Sequence, residues 1–156
     1  MYYLVYSILF VLSLLPLRIL YFISDGLAFI LYYVLRYRRN VVRSNLINAF
    51  PQKSINEIIQ IEKNFYRFFT QWIVETLKLL SISPSELKKR CVYTEQFKSI
   101  FTKCYQENKS IMALMGHIGN WEWAGASFPL YNNHFHIHLK HPLLCVLNQA
   151  NGQLHE

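Results

Sequence analysis

The chain has 156 residues, of which 53% are hydrophobic and 16% charged, and it carries a formal net charge of +7. The length suits about one domain, and the charged fraction falls below the roughly 25% of ordinary soluble proteins. Three cysteines, Cys91, Cys104 and Cys145, stand far apart in odd number, which argues against a disulfide framework and fits a reducing compartment.

Residues 1–35 hold two charges, Arg18 and Asp25, which cancel, so the positive balance lies downstream. Met1 to Leu17 carries no charge and as a helix would rise about 26 Å, near the lower limit for crossing a bilayer. No basic leader and no small-x-small site support a cleaved signal peptide. A second apolar run, Leu27 to Leu35, follows Asp25-Gly26. The pattern predicts an anchor helix, a break near Asp25-Gly26, and a second helix lying in the interface, against the alternative of a soluble core helix.

Arg36, Arg38, Arg39 and Arg43 follow at once. Basic residues beside a membrane segment mark its cytoplasmic side and attract anionic headgroups, by about 1 kcal/mol each. Nucleic acid is the competing partner for such a cluster, but no nucleic-acid motif accompanies it.

Val42, Leu46 and Phe50 recur at helical spacing up to Pro51. Ser54 and Glu57 then form a capping-box pattern, and Ile58, Ile61, Phe65, Phe68, Phe69, Trp72 and Leu79 predict one helix over 55–80 with that stripe as core. Ser83, Pro84 and Glu86 start a short helix ending near Arg90. "CVY" reads as a brief strand, Thr94 opens another helix, and "SIMALM" reads as a strand buried on both faces. Asn120 then caps a helix over 121–130. "MGHIGNWEW" is therefore a strand-to-helix crossing, the place where open α/β folds bind ligands.

His117 and Glu122 sit on either side of that crossing. Within one continuous helix, residues five apart do not face each other. With His117 in a loop and Glu122 in the first helical turn, a bend permitted by Gly116 and Gly119 would let the carboxylate accept the imidazole Nδ1–H. The carboxylate would then fix the tautomer and stabilise the imidazolium, as in the base-and-orienter pair of acyl transfer. A base so placed deprotonates a substrate hydroxyl, which attacks a thioester, while backbone N–H groups at the helix start hold the oxyanion. A structural histidine is the competing reading, since the H-x4-E spacing alone is a weak pattern.

"MALMGHIGNWEW" resembles the H-x4-D/E block of the lysophospholipid acyltransferase superfamily, and specifically that of the lipid A biosynthesis (late) acyltransferases. "RRNVVRSNLINAFP" and "FYRFFTQWIVETLKL" are similar to that family's upstream segments. The resemblance covers residues 1–130 and implies an N-terminal membrane anchor over 1–35. A helical region would follow, leading into the start of an α/β glycerolipid acyltransferase-like domain over 36–156. It implies acyl transfer from acyl carrier protein or coenzyme A to a hydroxyl of a membrane glycolipid, a lipid A precursor, on the cytoplasmic side of a bacterial inner membrane. His117 would be the base and Glu122 its orienter, with Gly116, Gly119 and Asn120 shaping the turn and Trp121 and Trp123 packing it. No resident cofactor is implied, the thioester being a co-substrate, and the acidic carrier protein and phosphorylated lipid would both favour a basic face.

The resemblance fades after Tyr131, so residues 131–156 read as a divergent tail and the domain as incomplete at its C-terminal end. Low activity of this chain alone is the corresponding expectation, and an inactive membrane-anchored remnant or lipid-binding protein is the alternative function. His134, His136, His138 and His141 lie in that tail. On a strand, the first three would share a face in the manner of a metal site. The superfamily chemistry needs no metal, and none is expected.

Overall fold

The computed structural model describes residues 2–112, 114, 116 and 118–131. The chain divides into two compact units, Met1–Ser81 and Ile82–Glu156.

In the first unit, α1 (Tyr2–Ser13) is followed by α2 (Leu17–Phe29), which continues into a π-helical turn over Ile30–Val34. α3 (Arg39–Ala49) and α4 (Ile55–Lys78) complete it. The break in the apolar region falls before Pro16, not at Asp25-Gly26 as the sequence suggested. Proline lacks the N–H that would continue α1 and suits the start of a new helix. Gly26 lies inside α2, where the helical pattern outweighs the modest cost of one glycine. α1 is consequently only 12 residues, about 18 Å. Among the described residues, the helix long and apolar enough to cross a membrane is instead Leu17–Val34, whose mean hydropathy is 1.5.

α4 begins at the capping box read from the sequence. The Ser54 hydroxyl accepts from the Glu57 N–H, and the Glu57 carboxylate accepts from the Ser54 N–H at 2.9 Å. Its buried face is not the aromatic stripe. Ile58, Glu62, Tyr66, Thr70 and Val74 are buried, while Phe65 and Phe68 are exposed. The reason lies in the partner helix. α2 presents Leu17, Leu20, Ser24 and Ala28 inward, and small residues there let the backbones approach. The hydroxyls are satisfied locally, Ser24 Oγ donating to the Tyr21 carbonyl at 2.8 Å and Thr70 Oγ1 to that of Arg67 at 3.0 Å. Polar groups lie inward and large apolar ones outward, among them Phe22, Phe29, Val34 and Leu35. That distribution suits a lipid-facing surface. Lys78 completes the unit by donating to the Ser13 and Leu15 carbonyls, closing the C-terminal end of α1.

In the second unit, α5 (Pro84–Arg90), α6 (Glu95–Gln106) and α7 (Trp121–Tyr131) start where the sequence placed them. The Ser83 hydroxyl caps the Glu86 N–H, the Thr94 hydroxyl caps that of Phe97, and the Asn120 side chain accepts from Trp123 N–H at 3.0 Å. Glu86 does not close a reciprocal box. Its carboxylate takes the Arg90 Nε at 2.8 Å instead. The core is an aromatic cluster of Tyr93, Phe97, Phe101, Phe128 and Tyr131, with ring centroids 4.4–6.0 Å apart among the stacked and tilted pairs.

The α/β expectation fails. The described residues form helices and no strand. "CVY" joins the end of α5 to the cap of α6, too short a stretch to pair. In "SIMALM", Ile111, Met112 and Leu114 are exposed rather than buried, Met112 by 85% and Leu114 by 89%. A single extended segment cannot satisfy its own backbone groups, and no second one lies beside it among the described residues.

Candidate functional site

The predicted crossing lies in the second unit. Asn120 caps α7, which sets Glu122 in its first turn. There the Glu122 side chain is 5% exposed, and the helix start favours its negative charge. Trp123 is buried beside it, and Trp121 is half-buried. Gly119 has φ +67°, the left-handed conformation that glycine takes without penalty, and it turns the chain into the helix. Gly116 does not share that role. Its φ is not positive, and an added Cβ would make only ordinary contact with the Ile118 side chain at 3.6 Å. The bend expected from two glycines therefore rests on one. His117 lies outside the described residues, as do the four tail histidines and Cys145. Among the described residues, no group of three or more metal-ligating side chains converges.

The arginines are in the first unit, around a cleft of about 600 Å³ lined by Arg36, Arg38, Arg39, Asn40, Val41 and Arg43. Sequence reasoning found these arginines but missed the residue that organises them. Glu62, buried on α4, accepts from Arg39 Nε at 2.9 Å and from Arg43 Nε at 2.7 Å. Hydrogen bonding to Glu62 raises the Arg43 pKa above its ordinary value. The signal was present as a carboxylate in phase with Ile58, Tyr66 and Thr70, on the face that turns inward. Arg39 also stacks on the Tyr32 ring at 4.3 Å, and the Tyr66 hydroxyl donates to the Tyr37 carbonyl, pinning the turn between the two helices. Arg36 and Arg38 both take positive φ, 49° and 51°.

The first unit carries outward apolar side chains and a basic cleft, and the second a buried glutamate at a glycine-turned helix start. Residues 1–149 match the family model described as bacterial lipid A biosynthesis acyltransferase, and the chain belongs to that family. The family is one of acyltransferases, so the chain is by membership an enzyme of lipid A biosynthesis, acting with an acyl donor and a lipid acceptor. No curated protein and no solved structure gives a significant match.

Proposed function

We propose that the chain transfers a fatty acyl group from a thioester, of acyl carrier protein or coenzyme A, to a hydroxyl of a lipid A precursor. His117 acts as general base, taking the hydroxyl proton as the oxygen attacks the thioester carbonyl. Glu122 orients the imidazole and stabilises the imidazolium, and the thiol leaves with the proton that His117 returns. Gly119 and Asn120 shape the turn that carries the pair, and Gly116 leaves room beside it. The reading calls for no resident cofactor or metal.

The observation that carries it is Glu122 itself. It is an acid buried at a helix start, three residues past a left-handed glycine, in a chain whose family performs acyl transfer. The site belongs to the cytoplasmic side of an inner membrane, with residues 1–35 as the membrane-binding part. Support comes from the apolar Leu17–Val34 helix and the arginines that follow it. Asp25, which pairs with Arg67 at 3.4 Å on an exposed flank, favours α2 entering lipid by one face.

The test is acyl transfer from an acyl carrier protein thioester to a lipid A precursor, comparing the chain with Glu122→Gln. Gln keeps the side chain's shape but not its charge, so kcat should fall by about 10²-fold or more, with KM little changed. Equal rates would contradict the role of Glu122. A chain that binds the lipid without transferring would fit a lipid-binding protein instead.

A further inference from the structure

We infer that Tyr93 is a positioning residue for acyl transfer, its hydroxyl holding the first turn of α7 and with it the carboxylate of Glu122. The inference rests on the proposed role of Glu122 and adds to the site a residue outside the H-x4-E block. Tyr93 stands between the end of α5 and the Thr94 cap of α6. Its hydroxyl reaches across to α7, donating to the Ala124 carbonyl at 2.6 Å and meeting Ser127 Oγ at 2.8 Å. Ala124 is two residues past Glu122, and its N–H donates to the Asn120 carbonyl at 3.2 Å. The Asn120 side chain also takes the Trp123 N–H at 3.0 Å. Glu122 therefore sits between the cap on one side and the Tyr93 bond on the other. Its proposed partner, His117, precedes the cap, so the height and rotation of this turn set how the carboxylate meets the imidazole.

A hydroxyl serving the fold alone would be spent elsewhere. The Ala124 carbonyl has the Phe128 N–H, four residues on, as its helical partner. The carbonyl that α7 cannot serve is that of Gly125, because Pro129 lacks the N–H due to it. Tyr93 passes over that carbonyl and bonds the turn that bears Glu122. Proline inside a helix also weakens the link between its two halves, so the packed C-terminal half of α7 holds the first turn poorly without help. Packing does not call for a tyrosine either. The Tyr93 ring lies 4.8 Å from Phe97, 5.0 Å from Phe128 and 5.0 Å from Tyr131, contacts that a phenylalanine would make equally well. Ser127 lies about 140° round the helix from Glu122, so the hold acts through the backbone of α7.

The test is a double-mutant cycle in acyl transfer from an acyl carrier protein thioester to a lipid A precursor, at a temperature where every variant is folded. Tyr93→Phe keeps the ring and removes the hydroxyl, and kcat should fall about tenfold with KM little changed. In the Glu122→Gln chain, which has already lost the orienting charge, the same change should alter kcat by less than about twofold. Equal losses in both chains would make Tyr93 structural only and overturn the inference. Tyr131→Phe is the control for stability alone. Its hydroxyl donates to the Lys88 and Cys91 carbonyls from the far end of α7. Its removal should leave kcat within about twofold, and a loss as large as that of Tyr93→Phe would also overturn the inference. If Tyr93→Phe folds poorly, Ser127→Ala removes the second partner of the same hydroxyl. It should lower kcat about threefold in the otherwise unaltered chain and not in Glu122→Gln, and the same loss in both, or none in either, would overturn the inference. No transfer by the unaltered chain would remove the acyl-transfer reading and this inference with it, whereas transfer with equal losses removes this inference alone.

Discussion

The carboxylate of Glu62, which has no solvent exposure, accepts from Arg43 Nε at 2.7 Å and so ties α3 to α4. Arg43 is about a third exposed, so water screens part of the attraction. Arg43→Ala leaves Glu62 with Arg39 alone and is expected to destabilise the first unit by about 1–3 kcal/mol. Denaturant unfolding followed by circular dichroism checks this, and an unchanged midpoint would show that the pair contributes nothing.

Gly119 and Gly116 give opposite expectations. With φ at +67°, Gly119→Ala should cost about 1–2 kcal/mol, although nothing crowds the added methyl. Gly116→Ala meets only an ordinary contact and should leave stability within about 0.5 kcal/mol. The same unfolding measurement on both variants checks the contrast, which fails if the two shift alike.

Glu57 makes the start of α4 sensitive to acid. Its pKa is lowered from 4.5, first by the Ser54 backbone N–H, then by the Ser54 hydroxyl and by Lys53. A depressed carboxylate contributes stability above its unfolded pKa, and that contribution is lost as pH falls through the folded value. The stability difference between the chain and Glu57→Gln should therefore be present at neutral pH and vanish well below pH 4.5. A difference that stays constant with pH would exclude the capping charge as its cause.

Tyr93 gives the alkaline counterpart in the second unit. Its hydroxyl donates to the Ala124 carbonyl at 2.6 Å and meets Ser127 Oγ at 2.8 Å. Burial raises its pKa above 10.0, so its contribution is complete below that value and is lost as pH rises through the higher folded value. Tyr93→Phe should cost about 1 kcal/mol at neutral pH, and the cost should shrink in alkali. Unfolding midpoints against pH test it, and a cost that grows in alkali would reverse the sign.

Helix starts were the most legible part of the sequence. Ser54, Ser83, Thr94 and Asn120 all cap where their side chains and the following residues indicate, because capping is decided within four residues. Buried faces were less legible. The aromatic stripe of α4 gave way to Glu62, Tyr66 and Thr70, because the helix packs against a neighbour whose small residues admit polar partners. The strands were misread because a short apolar run shows only that it avoids water or meets lipid, and pairing depends on segments distant in sequence. At the site, composition and spacing led to Glu122 and Gly119, whose burial and backbone angle the structure supplies, and they overstated Gly116. The pairing of His117 with Glu122 lies beyond the described residues.

The most direct measurement is acyl transfer to a lipid A precursor by the chain and by His117→Ala, with binding of the acceptor followed in parallel. Loss of a general base predicts a fall of about 10²- to 10⁴-fold in kcat with acceptor binding unchanged. A His117→Ala protein that transfers as fast as the unaltered chain, or an unaltered chain that binds the acceptor and transfers nothing, would contradict the account.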